Sequence, residues 1–448
     1  MKAFLLLATA TALLAQPLKL SQALEQAMTQ YPSLRINEEQ IKAAASGIQL
    51  ARTAYLPKVD TVAQVNRATR NNIYGMLLQQ QVISPISGPP LIANAGTNVF
   101  GSAVGFLVQW EPFDFGLRKA QVGVAESEKR VAEASLRKTR FEVSTLTADA
   151  YLNVLAAAQA VRIAEANLQR LVAIEGVVNP LVTAGLRPGL DASRTAAEKA
   201  ALDAQLVQTQ QALAVAKANL GQFVPGAQDV DPLRFLNTPL PPPASSTSTA
   251  NHPAAAAIKS SLEVIEARQR ALLRTYFPKF NVQGTTYARG SGANPDFTTN
   301  GGASGLGPNI YNWGLGFTMT FSLMDLPGLR IKREIESARS RAEQARLEAL
   351  ARELDTQRAR ALAQFEGAVQ LALKTPEQVK ASRTALDQVT ARYKAGLIDI
   401  LPVADAQRAL AAAEVDDVLA RLQMWRAKLS LAVAAGDLAP FVAEAEGN

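Results

Sequence analysis

Two stretches of this chain, Leu117 to Val182 and Leu329 to Lys394, are long runs of Ala, Leu, Val, Glu, Arg and Gln with one proline apiece, Pro180 and Pro376. At about 1.5 Å of rise per residue each predicts a helical rod of roughly 100 Å, longer than a single soluble domain can use, with a kink expected at each proline. Asp114-Phe115-Gly116-Leu117-Arg118 opens the first run and Asp325-Leu326-Pro327-Gly328-Leu329-Arg330 opens the second. Ala184-Gly185-Leu186 and Ala395-Gly396-Leu397 close them, and a glycine just past the last periodic residue is the expected helix stop. Return helices follow over Leu190 to Gln222 and Leu401 to Gly436, so each half of the chain predicts a very long helical hairpin.

Composition narrows what such hairpins can serve. No apolar run reaches the eighteen or so residues that a membrane helix needs, which excludes a helical membrane protein. The formal charge is +7, but basic residues alternate with acidic ones, as in Glu126, Glu128, Lys129 and Arg130, so the excess describes solvated helix faces rather than a nucleic-acid stripe. With no cysteine and one histidine, His252, there is no disulfide, thiolate chemistry, zinc cluster or histidine-based triad to build. His252 stands before Pro253 at a helix start, where a capping or turn role is expected. No convergent acid, base, nucleophile or metal set is present, so the reading includes no catalytic residue, metal or cofactor.

The chain opens like an export signal, with Lys2, an apolar core from Ala3 to Leu14 and Ala15 before Gln16-Pro17, so residues 1–15 are expected to be removed. Without a cysteine after that point a bacterial lipid anchor is not expected. Leu20 to Leu56 reads as helix, capped at Ser21 and broken at Tyr31-Pro32. A first half then covers 16–224, a Pro- and Ser-rich linker 225–251, a second half 252–436 and a tail 437–448. The halves repeat one plan, because Tyr31-Pro32 and Tyr55-Leu56-Pro57-Lys58 return as His252-Pro253 and Tyr276-Phe277-Pro278-Lys279 at the same spacing.

Between the helical segments the period changes from 3.6 to 2. Strands are expected near 57–68, 100–111, 279–289 and 310–323. In the second, Phe100, Val104, Phe106, Val108 and Trp110 share one face, with Gly101, Ala103, Gly105, Gln109 and Glu111 on the other. In the fourth, Tyr311, Trp313, Leu315, Phe317, Met319, Phe321 and Leu323 oppose Asn312, Gly314, Gly316, Thr318, Thr320 and Ser322. Trp110, Phe113, Tyr276, Phe277, Tyr311 and Trp313 stand near strand ends as membrane-interface aromatics. Such alternation is what an outer-membrane barrel strand requires, and a soluble half-buried sheet is the competing reading. Four strands cannot close, and an open edge in lipid leaves backbone groups unpaired at several kcal/mol each. The chain must therefore assemble with copies of itself, and three copies give twelve strands, enough for an aqueous lumen. Ile335, Ala338, Ala342, Ala345 and Ala349 keep a three-four spacing through which neighbouring helices can pack as a coiled coil.

The duplicated Tyr-Leu-Pro-Lys and Tyr-Phe-Pro-Lys steps, the Asp-Phe-Gly-Leu-Arg turn and the paired Ala-Gly-Leu tips, in this order and spacing, resemble the TolC family of outer-membrane efflux channels over essentially the whole mature chain. The resemblance implies a mostly α protein with membrane β structure. It would form a homotrimer whose twelve-stranded barrel sits in outer-membrane lipid and continues as an antiparallel coiled-coil helical tunnel in the periplasm. It also implies a passive, gated exit duct for an inner-membrane pump and a periplasmic adaptor of the membrane fusion type, a plan shared by exporters of drugs, metals and proteins. The adaptor would contact the hairpin tips, here Ala184, Gly185, Leu186, Ala395, Gly396 and Leu397. Asp191 and Tyr393 fall at the family's gate-linking positions, and Asp405 at the inner of two acidic ring positions. Asp191 also reads as a helix cap and Asp405 as an exposed surface acid. Two departures stand out: the linking arginine position is Ile398 and the outer aspartate position is Pro402, which implies a weaker latch and a single acidic ring. The alternative is a periplasmic coiled-coil adaptor or structural spacer, which gives the amphipathic strands no purpose.

Overall fold

The computed structural model describes residues 18–69, 98–226, 230, 252–294 and 298–446. The expected export signal, the polar segment 70–97 and most of the linker lie outside the described residues. In chain order the described elements are α1 (Leu20–Gln30), α2 (Pro32–Thr53), β1 (Lys58–Thr69), β2 (Asn98–Phe113), α3 (Leu117–Thr183), α4 (Gly189–Gly221), α5 (Pro253–Arg274), β3 (Lys279–Ser291) and β4 (Ile310–Thr320). A 3-10 turn (Leu323–Asp325) then leads into α6 (Leu326–Lys394), α7 (Leu401–Ala435) and α8 (Ala439–Glu446). The protein is thus predominantly helical with one small sheet. None of the described helices is long and apolar enough to cross a membrane.

Local chemistry explains the boundaries. Helix α1 begins at Leu20, and the Gln22 side chain accepts the Lys19 N–H at 3.2 Å. The cap expected at Ser21 is therefore corrected, since Ser21 lies inside the helix and donates its N–H to Glu446 at 2.9 Å. At the start of α3, Asp114 accepts hydrogen bonds from the N–H groups of Gly116 (3.1 Å) and Arg118 (2.6 Å). That cap holds Phe115 at φ 51° and Gly116 at φ 85°, and Arg118 reaches back to its carboxylate at 2.9 Å. Burial opposes ionisation of Asp114, but the hydrogen bonds from Arg118 and Gly116 outweigh it and hold the carboxyl below its ordinary value.

The similar run at Asp325 folds otherwise. The strand stops at Thr320 rather than near 323, and α6 starts at Leu326, three residues before the expected Leu329. Pro327 sits in the first turn, where no intrahelical donor is required, so Pro327-Gly328 does not break the helix. Helical structure also continues through Pro180, in the last turn of α3, and through Pro376 in α6. Residues 437–448, read as a tail, carry α8, whose Phe441 packs edge-on against Trp425 with centroids 6.2 Å apart.

The strands form one antiparallel sheet in the order β1-β2-β3-β4. Register places Thr61, Phe106, Thr286 and Trp313 in one row across it, and Ala63, Val104, Ala288 and Tyr311 in the next but one. An irregularity between Trp110 and Phe113 shifts the pairing so that Phe113 faces Phe280. Phe113, Phe115, Phe277 and Phe280 gather at that end, with Phe115 4.6 Å from Phe113 and 4.8 Å from Phe277.

The chain divides into two compact units. One holds Gln40–Ala132 and Ser260–Gln344 and contains the sheet; the other holds Met1–Glu39, Glu133–Lys259 and Ala345–Asn448. The core of the helical unit gathers Leu20, Tyr151, Leu152, Leu220, Phe365, Met424, Trp425 and Phe441, all buried. Burial of each large side chain contributes about 1.5–3 kcal/mol. A second, smaller cluster in the same unit holds Val178, Leu386, Tyr393, Ile400, Val403 and Leu410.

Candidate functional site

Both hairpin tips are built by the same local device. At the first, Gly185 takes φ 70°, its N–H bonds to Val182 O at 3.0 Å, and Leu186 N–H bonds to Leu181 O at 2.9 Å. At the second, Gly396 takes φ 80°, with Gly396 N–H on Tyr393 O and Leu397 N–H on Arg392 O, both at 3.0 Å. This paired pattern satisfies the last helix carbonyls and demands a left-handed residue, which is why glycine stands there. Ala184, Gly185, Leu186, Ala395, Gly396 and Leu397 are all exposed, with Leu186 at 71% and Leu397 at 73%. Exposed leucines on tight turns are an apolar surface left open among the described residues.

Behind the tips the structure brings two of the expected residues together. Tyr393, in the last turn of α6, is 2% exposed and donates its hydroxyl to Asp191 Oδ2 at 3.2 Å. Asp191, 4% exposed, lies in the first turn of α4, where a negative charge suits the helix dipole. It is not the N-cap, which is Pro188. Burial, then the charge and hydrogen bond of Asp191, push the Tyr393 hydroxyl up to about 12, with Arg187 opposing. The phenol therefore stays protonated and donating throughout the physiological range.

Two features of this region escaped the sequence reading. The Arg187 guanidinium lies 4.7 Å from the Tyr393 ring centroid and donates to Tyr393 O at 2.9 Å. The signal was a lone arginine two residues after the tip glycine, easily taken for a surface charge. Further along, Glu414 of α7 accepts from Arg170 of α3 and, at 3.1 Å, from Arg383 of α6. It thereby joins the two hairpins.

Asp405 is placed apart from these contacts. Its side chain is 59% exposed and pairs with Arg408 at 3.1 Å, and Arg408 also holds Glu198 at 3.2 Å. Arg408 further lines a groove of about 390 Å³ with Glu198, Gln205 and Gln407. Ile398, at the position where the resemblance implies an arginine, packs on the small apolar cluster.

The sheet presents a second surface. Val59, Val65, Val104, Phe106, Val108, Trp110, Leu315, Phe317 and Met319 all lie exposed on one face. Tyr311 and Trp313, 85% and 80% exposed, mark one end of it, and Trp110, Phe113 and Phe277 the other, with Tyr276 half-buried beside them. The opposite face carries Asp60, Gln64, Gln109, Gln283, Thr285, Asn312 and Thr318. Among the described residues β1 and β4 each pair on one edge only. Across the nine residues from Tyr311 to Met319 the apolar face runs about 27 Å along the strand, or about 20 Å of depth at an ordinary barrel tilt. No group of three or more metal-binding side chains occurs among the described residues.

A family model described as "Outer membrane efflux protein" matches residues 23–224 and 244–437. No curated relative matches. Among solved structures, the outer membrane protein VceC of Vibrio cholerae is 19% identical with a TM-score of 0.70, over 93% of this chain and 96% of that one. The channel protein CusC is 15% identical with a TM-score of 0.75, over 94% and 92%. The open state of the Neisseria gonorrhoeae MtrE outer membrane channel is 19% identical with a TM-score of 0.71, over 94% and 89%. At these identities the structural likeness speaks for the fold, and the family match spans both halves of the chain. The chain belongs to the outer membrane efflux protein family, whose members are channels and not enzymes.

Proposed function

We propose that this chain is one protomer of a homotrimeric exit duct whose periplasmic entrance is gated at the hairpin tips. The observation that carries the reading is the two-faced sheet whose outer edges are both unpaired among the described residues. Neighbouring copies would pair β4 with β1 around a ring of twelve strands, turning the apolar face to lipid and the polar face to an aqueous lumen. Ile335, Ala338, Ala342, Ala345 and Ala349 are all exposed in the single chain, which supports their use as a helix seam between copies below the membrane. The two repeated halves then contribute equivalent strands and hairpins to one tunnel. A soluble adaptor or spacer leaves the exposed aromatic face without a use.

In this reading a periplasmic adaptor, itself coupled to an inner-membrane pump, grips the exposed Leu186 and Leu397 turns. The hairpins close the entrance through the hydrogen bond of Tyr393 to Asp191, and conduction is passive once they part. Asp405 faces a passing solute at the constriction, but Arg408 beside it meets much of its charge, so cation preference from this ring is modest. Purified full-length protein in planar lipid bilayers tests the gate. Asp191→Ala is expected to lengthen channel openings, whereas Asp405→Ala changes cation preference only slightly. Openings unchanged by loss of the Asp191 carboxylate defeat this account of the gate.

A further inference from the structure

We infer that Arg187 is the cation of the closing link between the two hairpins, gripping Tyr393 by its ring and its backbone carbonyl while Asp191 holds the hydroxyl. The inference rests on the gated-entrance reading of the tips and deepens it. Three observations carry it. First, the contact crosses between hairpins: Arg187 lies in the loop between α3 and α4, and Tyr393 lies in the last turn of α6. Second, it is two-point, with the guanidinium 4.7 Å from the ring centroid and Nη2 2.9 Å from the carbonyl. A lysine can supply the charge but not this planar fork. Third, Tyr393 and Asp191 are both buried, at 2% and 4% exposure, so a carboxylate would sit in a poorly hydrated place beside a neutral phenol without a cation near.

The carbonyl contact adds a further reason. Tyr393 O belongs to the last turn of α6, where unsatisfied carbonyls gather partial negative charge, and Gly396 N–H satisfies only one of its lone pairs. Arg187 takes the other. The nearby position 398 carries Ile398, which packs on the apolar cluster and holds no charge. The link is thereby anchored from the first hairpin's turn, Gly185-Leu186-Arg187-Pro188. Pro188, with φ −63°, fixes the backbone immediately after the arginine and limits its excursions. An adaptor that seizes Leu186 would pull on the residue next to the latch, so docking and unlatching are joined through one peptide unit.

The test is single-channel recording of full-length protein in planar bilayers, with native-gel mobility and far-ultraviolet circular dichroism as controls for assembly. Arg187→Ala is expected to raise a small open fraction about thirtyfold or more, the sum of one stacked cation and one charge-assisted hydrogen bond. Arg187→Lys should give an intermediate rise. In a Tyr393→Leu background, which keeps the carbonyl but lacks ring and hydroxyl, Arg187→Ala should keep the hydrogen-bond part of its effect and lose the ring part; in a Tyr393→Phe background, which keeps ring and carbonyl, it should retain nearly all of it. If Asp191→Ala opens the channel while Arg187→Ala leaves it closed, the latch assignment is wrong and the gate reading stands. If neither wild type nor any variant conducts, the channel reading itself is wrong. Equal effects of Arg187→Ala in the Phe and Leu backgrounds also overturn the ring contact.

Discussion

Both ring nitrogens of His252 are engaged. Nδ1 accepts the Ala254 N–H at 3.2 Å, which leaves the proton on Nε2, and Nε2 donates to Val433 O at 3.1 Å. Phe141 closes over the ring edge-on at 5.4 Å, and the residue is 6% exposed. Burial holds the imidazole below its ordinary value of 6.5, against the opposing pull of the Val433 carbonyl. A second proton would have to enter between Nδ1 and the Ala254 N–H, so it breaks the cap of α5. The folded protein binds this proton less readily than the unfolded chain. The stabilisation is therefore complete above the ordinary value and is lost as pH falls through the lower folded one. Between about pH 7.5 and about pH 5 the melting temperature of wild type should fall more than that of His252→Gln, and parallel profiles would count against the linkage. His252 also shows what a residue's neighbours in sequence can tell. A histidine followed by proline at a helix start is a local feature and was legible as a cap, whereas Arg187 acts on a tyrosine some 206 residues away.

The same division holds for whole elements. Helices α3 and α6 announced themselves by composition and length, and the strands by a period of two, because both signals are repeated many times within one element. Their junctions were harder: Asp114 and Asp325 open similar runs, but only the first caps the helix that follows. How hairpins are tied together was legible only at Asp191 and Tyr393, and there only through the family resemblance. Glu414 is separated from Arg170 by 244 residues and from Arg383 by 31, and nothing in either neighbourhood marks the pairing. Its side chain is 14% exposed and that of Arg170 28%, while Arg383 at 61% is largely solvated. Removing Glu414 would leave the partly buried guanidinium without its carboxylate and with Asn167 Oδ1 as its remaining partner, so Glu414→Ala should cost about 1–3 kcal/mol in denaturant unfolding. Arg383→Ala should cost under about 1 kcal/mol, as exposed ion pairs do. A larger loss from Arg383 than from Glu414 would show that the node draws its strength from the solvated side.

For the molecule as a whole, the decisive question is what medium the apolar sheet face meets. Leu315 lies near the middle of β4, 74% exposed, in a row with Gly284, Val108 and Val59. Asn312, on the same strand, belongs to the other face with Tyr287 and Gly105. If that first face is immersed in hydrocarbon, Leu315→Arg places a charge near mid-membrane at a cost of about 2–4 kcal/mol per protomer. In a ring of three copies the loss is repeated three times, enough to deplete assembled protein from outer-membrane fractions. Asn312→Arg turns its charge toward water and should leave assembly intact while altering conductance. A water-soluble sheet makes the opposite forecast, since replacing an exposed leucine by arginine would relieve an aggregation-prone patch and raise soluble yield. Membrane fractionation and native electrophoresis of the two variants side by side separate these cases, and recovery of Leu315→Arg as a soluble, well-folded single chain would remove the membrane from the account.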